Sequence, residues 1–311
     1  MKQNCPRVAV ALAAYNGMDY IAEQIESILQ QQGVSVTLFL NVDRSIDGTE
    51  EWVKTNAVHE PRLVMLPFGQ IFGGASANFF HLIRKIDLSD FDYLAFSDQD
   101  DIWSKTKLVR AHQELVAKNG DGYSSNVTAF WPNGEQKLVH KASPQRKWDY
   151  VFESAGPGCT YVMRQPLAIA MQKVVVTKSE LLSRVVYHDW FAYAYARANG
   201  YKWIIDNYSG MLYRQHAHNQ LGANTGLTSF WRRLKQVLSG EAMTQAYLIA
   251  HSACGANSAL IAELLAGGGR LQMLKLAMLA PHCRRKLHHR FYFFISCLLC
   301  VVLKPSYQTR Q

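Results

Sequence analysis

Tyr93-Leu94-Ala95-Phe96-Ser97-Asp98-Gln99-Asp100-Asp101-Ile102-Trp103 begins as an apolar strand and ends in three carboxylates within four residues. A hydrophobic core does not accept that much uncompensated negative charge. The run must therefore deliver its carboxylates to the exposed end of a buried strand. Aspartates at i and i+2 of an extended segment project to one side, which pairs Asp98 with Asp100. At the mouth of a sheet such a pair holds a hard divalent cation, Mg2+ or Mn2+, through oxygen, with room left for phosphate and water. A polar strand-to-helix turn is the simpler reading of any one of these residues, and Asp101 or Ser104 suits the cap of the helix that follows. Asp-Gln-Asp-Asp behind a buried strand favours the metal–phosphate site.

The same grammar runs upstream. Residues 7–14 read as a strand buried on both faces, as in a parallel sheet. Tyr15-Asn16-Gly17 is a turn. Asp19 to Gln32 carries Ile21, Ile25, Ile28 and Leu29 on one helical stripe and stops at Gly33. Val36 to Val42 is a second strand ending at Asp43, and Asp47-Gly48-Thr49 turns into a helix. Leu63 to Leu66 is a third strand. Gly73-Gly74 opens a helix with Phe79, Phe80, Leu82 and Ile83, and Lys105 to Lys118 forms another. Four strand–helix units imply right-handed crossovers and a mostly parallel sheet. Functional residues then gather at the carboxyl ends of the strands. Tyr15-Asn16-Gly17, Asp43-Arg44-Ser45 and Asp98-Gln99-Asp100 all fall there. The first strand end, Ala13-Ala14-Tyr15-Asn16-Gly17-Met18, lacks G-x-G-x-x-G, which disfavours a Rossmann dehydrogenase.

Downstream, residues 122–225 mix short strands with a helix over Asp189 to Asn199. Gly156-Pro157-Gly158-Cys159-Thr160 forms a tight turn before an apolar strand, Tyr161 to Met163, and Trp203 to Ile205 and Met211 to Tyr213 are strand-like. No Ser/Pro/Gly linker or internal repeat interrupts the chain. The predicted organisation is a catalytic domain over 1–225, with 1–120 as its nucleotide half and 121–225 as its acceptor half. A helical tail follows over 226–311. With 311 residues, 49% apolar and 18% charged, a substantial core is available. Six scattered cysteines suit a reducing compartment, and Cys297-x-x-Cys300 lies in an apolar run without a second pair. Eight of the nine net positive charges sit after Glu263, where no acid occurs. The rest is nearly neutral, so a nucleic-acid binder is not expected.

In order and content, residues 7–225 resemble the inverting family 2 glycosyltransferases of the GT-A fold, in particular bacterial rhamnosyltransferase-type members that build cell-surface polysaccharide such as the O-antigen of lipopolysaccharide. Val10 to Gly17 is similar to the family's opening strand and nucleotide loop. Asn41 to Thr49 looks like its D-D-x-S-x-D-G-T segment, and Phe72 to Phe79 like its donor-side G-x-x-x-N stretch. Phe96 to Trp103 matches the D-x-D signature. His188-Asp189-Trp190 falls where the family carries its catalytic carboxylate, and Tyr213-Arg214-Gln215-His216, with Asn219 and Gly222-Ala223-Asn224, resembles the segment that closes the site. The resemblance implies a nucleotide-diphosphate sugar donor held by Ala14, Tyr15, Asn16, Asp43, Ser76, Asn78, Asp98 and Gln99. It implies a cation held by Asp98, Asp100 and His216, with Asp98 alternatively on the ribose or reaching metal through water. Asp189 becomes the general base, although its place also suits a helix N-cap. Trp103, Gly158, Cys159, His188, Trp190, Arg214 and Gln215 become candidates for acceptor or phosphate contacts.

Two departures stand out. The paired aspartates of the second motif are reduced to Val42-Asp43, and the usual Glu-Asp of the catalytic position is His188-Asp189. The Q-x-x-R-W motif of processive synthases is absent, which points to addition of one sugar or a few. dTDP-rhamnose is the expected donor, with a UDP-hexose or UDP-N-acetylhexosamine as the alternative. A phosphoryl-transferring enzyme would need a glycine-rich loop, and a degenerate non-catalytic relative would need no base. Phe291 to Leu303 is a run of 13 uncharged residues between basic flanks, short of the roughly 20 that span a bilayer. It reads as an interfacial anchor on anionic lipid, suited to a saccharide acceptor carried on a polyprenyl lipid, or else as a core helix. With no signal-peptide pattern at the start, the expected location is cytoplasmic, peripheral on the inner membrane.

Overall fold

A computed structural model describes residues 5–216, 240–253 and 255–303. Its elements begin with β1 (Arg7–Ala14), α1 (Ile21–Leu29), β2 (Ser35–Val42), α2 (Thr49–Ala57), β3 (Leu63–Met65), α3 (Ala75–Lys85) and β4 (Tyr93–Ser97). They continue with β5 (Ile102–Trp103), α4 (Lys107–Ala117), β6 (Gly122–Phe130), β7 (Gln136–Val139), β8 (Val162–Arg164), α5 (Gln165–Thr177), α6 (Ser179–Leu182), α7 (His188–Ala198) and β9 (Trp203–Arg214). The last helices are α8 (Glu241–Ala253), α9 (Ala259–Gly267), α10 (Arg270–Met278), α11 (Ala280–Cys283) and α12 (Leu287–Leu303).

One sheet runs β3-β2-β1-β4-β8-β6-β9-β5, with β7 beside β6. The four strands expected to be parallel are parallel, with β1 pairing along its whole length with β2. Beyond β4 the sheet becomes mixed. β8 lies antiparallel to β4 and β6, while β6 and β9 are parallel. The two short strands expected near 203 and 211 are a single strand, β9, bent by register shifts opposite Ser125 and Asn126. β6, β7 and α5 go beyond the sequence reading, although Pro132-Asn133-Gly134, with Gly134 at φ 84°, is a turn signature between β6 and β7.

Strand alternation sorts the core. Ala9 and Ala11 of β1 and Leu94 and Phe96 of β4 face a layer with α3, α5 and α7. Val8, Val10 and Leu12, with Tyr93 and Ala95, face a layer with α1 and α4. Because β1, β2 and β4 run the same way, Ala14, Val42 and Ser97 end at one edge of the sheet, where the polar clusters stand.

The tail helices join the first layer. Met243, Ile249, Ile261, Leu265, Met273 and Leu276 are buried with Phe80 and Phe191. α12 buries Phe293, Cys297 and Cys300, a stripe at i, i+4 and i+7. Phe293 meets Phe152 edge to face at 4.7 Å. The basic run 284–290, expected to face lipid headgroups, turns inward for much of its length. Arg285 is 8% exposed and pairs with Asp149 and Glu153. Arg284 and His289 also reach Glu153, Lys286 donates to His140 O, and Arg290 donates to two tail carbonyls. Two acids fixed in the catalytic core are stronger partners for these cations than water, since Asp149 has no exposure at all. The opposite side of the tail leaves Leu271, Met278, Leu287, Phe291 and Val302 exposed. Among the described residues, no helix is long and apolar enough to cross a membrane.

Candidate active site

The nucleotide side is a set of strand-end loops laced to one another. Asn16 adopts a left-handed conformation (φ 45°), which asparagine tolerates. Its Oδ1 accepts from Ile46 N, and its own N–H donates to Ser45 Oγ. Gln99 bridges Tyr15 through both backbone groups: Tyr15 N donates to Oε1 at 2.7 Å, and Nε2 donates to Tyr15 O at 2.9 Å. The Asp43 carboxylate accepts from Phe72 N at 3.0 Å and Gly73 N at 3.1 Å, tying the second strand end to the loop before α3.

Two residues expected on the donor lie deeper. Asn78 is buried and donates to Ala14 O and Asn41 O while accepting from Asn41 Nδ2. Ser76 is buried and donates to Val185 O. Asn78 braces the ends of β1 and β2 from below, and Ser76 ties α3 to the segment before α7. Ala14 is also buried, while Tyr15 and Asn16 of the first loop are exposed.

The carboxylates divide into two groups. Asp100 points to His216, with Oδ2 and Nε2 2.8 Å apart. Asp98 gathers with Asp101 and Cys159, their ligating atoms lying within 4.8 Å of one another. Burial, with the charges of Asp100 and Asp189 beside it, raises the Asp98 carboxyl to about 7. Asp101 is raised well above the usual carboxylate range by burial and by the charges of Asp100 and Asp98. Burial likewise keeps Cys159 a thiol. A neutral thiol and a buried carboxyl are poor ligands for a hard cation. Asp100 and His216, 2.8 Å apart, are donors of the kind such a cation accepts, and Asp98 lies within electrostatic reach of Asp100.

Asp101 is no helix cap: α4 begins at Lys107, with Thr106 before it. Its Oδ1 accepts from Arg214 N, and Oδ2 is a buried oxygen without a hydrogen bond. The Lys107 ammonium lies behind it, 3.2 Å from the centre of the Trp103 ring. Trp103, a candidate acceptor contact, is thus 3% exposed in the core layer beneath the site.

Asp189 stands in the first turn of α7 and is partly exposed. Burial raises it to about 6, against the opposing pull of the backbone amides of Trp190 and Asp189 itself and of Lys141. His188 beside it stacks on Phe79 at 3.8 Å and on the edge of Phe96 at 5.5 Å. Burial lowers it to about 3, so the imidazole is neutral. Gly158 lies against both: a β-carbon there would stand 2.9 Å from His188 Nε2 and 3.0 Å from Asp189 Cβ. Trp190 donates to Tyr150 O. Gln215 is 5% exposed and donates to Arg214 O. Arg214 donates from Nε to Asp100 O at 2.8 Å and pairs with Glu23. Tyr20 and Glu23 were not found from the sequence, where they are ordinary polar positions on an amphipathic helix. Asn219, Gly222, Ala223 and Asn224 lie outside the described residues.

A sheet covered on both faces, with carboxylates at its parallel strand ends and a separate carboxylate, Asp189, within electrostatic reach of them, is an architecture suited to a group-transfer enzyme. Residues 6–123 match the model of the family described as "Glycosyltransferase like family 2". The dTDP-rhamnosyl transferase RfbG of Shigella flexneri is 38% identical over 289 residues, covering 93% of this chain and 99% of its own. The chain belongs to the family 2 glycosyltransferases. The crystal structure of S. aureus TarS 1-349 in complex with UDP-GlcNAc superposes with a TM-score of 0.55 at 14% identity, over 95% of this chain and 90% of that one. The mannosyltransferase PcManGT from Pyrobaculum calidifontis, in complex with GDP-Man and Mn2+, gives 0.50 at 17% identity, over 99% and 89%. The fold is GT-A.

Proposed function

We propose that this glycosyltransferase moves one rhamnose from dTDP-rhamnose, with inversion, to a hydroxyl of a lipid-linked saccharide in cell-surface polysaccharide synthesis. The observation that carries the chemistry is the partly exposed Asp189, poised near pH 6 and close enough to Asp98 to raise it. One carboxylate faces the acceptor while the others face the leaving group. The similarity to a dTDP-rhamnosyl transferase along nearly the whole chain supports the donor.

Asp189 takes the proton of the acceptor hydroxyl as that oxygen bonds to the anomeric carbon, and the bond to the diphosphate breaks on the opposite face. The proton ends on Asp189, where burial favours the neutral acid. The sugar's configuration inverts in this single displacement. Asp98, Asp100 and His216 would hold a divalent cation, which supplies charge for the departing diphosphate. Asn16, Gln99 and Asp43 keep the three strand-end loops in register, and Tyr15 offers its exposed ring to the nucleotide. The tail's exposed apolar face would rest on the membrane that carries the acceptor.

Two substitutions test the assignment. Asp189→Asn should retain donor binding, measured by calorimetry, and lose transfer by about 10²- to 10⁴-fold. Asp100→Ala, or EDTA on the wild type, should abolish the metal-dependent part of nucleotide binding. Normal transfer by both variants would overturn the assignment.

A further inference from the structure

Arg214 is the last residue of β9, and its sequence position suggests a cation for the diphosphate. The structure gives it other work. Nε donates to the carbonyl of Asp100 at 2.8 Å, and its backbone N–H donates to Asp101 Oδ1 at 3.2 Å. Nη2 pairs with Glu23 of α1. The guanidinium carbon lies 4.8 Å from the centre of the Tyr20 ring and 4.6 Å from that of Phe130. The side chain is only 17% exposed. Tyr20 also stacks on His216, with ring centres 5.0 Å apart and planes inclined by 28°. His216 in turn meets the Asp100 carboxylate at 2.8 Å. The start of α1 therefore touches both the guanidinium that holds the Asp100 carbonyl and the imidazole that meets its carboxylate.

We propose that Tyr20, Glu23 and Arg214 form a positioning clamp that sets the Asp100–His216 pair for a divalent cation, and that Arg214 acts on the donor through this clamp rather than as a phosphate ligand. This rests on the reading of Asp100 and His216 given above. The physical case is one of commitment. A planar guanidinium engaged with a carboxylate, a carbonyl and two aromatic rings is held in one orientation, and that orientation aims it at the backbone of the D-x-D loop. Glu23 fixes the guanidinium from outside the site, and Tyr20 couples it to the His216 ring.

The test uses the full chain, with Mn2+ and dTDP as probes. Free Mn2+ is measured by electron paramagnetic resonance, and dTDP affinity by calorimetry in Mn2+ and in EDTA. Glu23→Gln and Tyr20→Leu should each weaken Mn2+ binding about tenfold, as loss of groups that orient metal ligands does. dTDP affinity in EDTA should stay within about twofold, and the Mn2+ needed for half-maximal rate should rise while kcat at saturating Mn2+ holds. Arg214→Lys should follow the same pattern. Unchanged Mn2+ affinity in Glu23→Gln and Tyr20→Leu overturns the clamp, as does an Arg214→Lys enzyme that loses dTDP affinity equally with and without metal. Glu23 is half exposed, so its substitution leaves the fold intact and the test stands on it. Asp100→Asn is the control: if it too keeps Mn2+ affinity, the site reading itself has failed and the clamp falls with it.

Discussion

Asp189 is asked to be charged at the start of the reaction in a place that disfavours charge. Burial raises it to about 6, and the amides at the start of α7 limit the rise. The rate term kcat/KM should therefore fall below about pH 6 with a single ionisation and level off above it, measured on acceptor at saturating metal. Stability moves the other way. A carboxyl whose folded pKa lies above its unfolded value of 3.8 contributes stability below that value and loses it as pH rises through about 6. Asp189→Asn should accordingly melt higher than wild type at pH 8, with the gap closing below pH 4. His188 adds no charge in this range, since burial keeps it neutral down to about pH 3. At this scale the sequence was informative about type and position but not about use. Asp98 and Asp100 could be picked out because carboxylates behind a buried strand have few other reasons to be there, while Asp189, in the first turn of α7, and His216 stood out only through the family resemblance. Asn16, Gln99, Ser76 and Asn78 were picked out with them, yet hydrogen bonds to backbone groups far away in sequence occupy their side chains. Which polar residue contacts a ligand and which braces the loop depends on those long-range partners, and no local pattern encodes them.

At the scale of elements, the α7 start and the turn at 156–160 behave as one unit. Gly158 is where they touch, its α-carbon against the His188 ring and Asp189. A methyl group there must displace the first turn of α7, because the Phe79 ring on one face and Phe96 beside it hold the imidazole in place. Gly158→Ala should lower kcat by about 10- to 100-fold, the scale expected when a reacting group moves by a fraction of an ångström to an ångström. Donor affinity should be unchanged, and thermal denaturation should show a loss of about 1–3 kcal/mol, the cost of overpacking. A wild-type kcat would place the base elsewhere. The first four strands were legible because each is a short apolar run closed by a polar turn, with a helical stripe following. β8 was legible as a strand one residue early, over Tyr161 to Met163, but its direction was not, and β6 and β9 were harder. β8 has three residues and runs antiparallel, and the bend that makes β9 one strand comes from its pairing with β6, not from its own residues.

For the whole molecule, the question is whether the tail is an accessory or part of the catalytic unit. The 284–290 run looked like a headgroup-binding patch because sequence shows charge but not what faces it. In the fold, Arg285 sits over Tyr193 and pairs with Asp149, which also accepts from Tyr193 Oη and Arg197 of α7. Gly255 packs so tightly that a β-carbon would lie 2.1 Å from the carbonyl oxygen of Ala198, at the end of the same helix. α7 thus carries Asp189, the proposed base, in its first turn and the tail's anchor points from Tyr193 to Ala198. Burial opposes the charge of Glu153, but hydrogen bonding to His289 and the charges of Arg284 and Arg285 win and lower it to about 2. Its contribution is present above the unfolded pKa of about 4.5 and fades as pH falls toward 2, so the tail should loosen in acid. Arg285→Met leaves Asp149 and Glu153 short of a partner in the interior and should cost about 3–5 kcal/mol. Denaturant melts should show that loss together with a fall in transfer, although residue 285 is not at the reacting atoms. Truncation beyond residue 265 should behave like this variant and yield misfolded protein rather than a released soluble enzyme. The membrane face is tested separately, on exposed positions that contribute little to the core. Leu287→Ser with Phe291→Ser should keep the wild-type melting curve and lose sedimentation with anionic phosphatidylglycerol vesicles. If the double variant still sediments with those vesicles, the exposed apolar side of α10 and α12 is not the surface that meets the membrane.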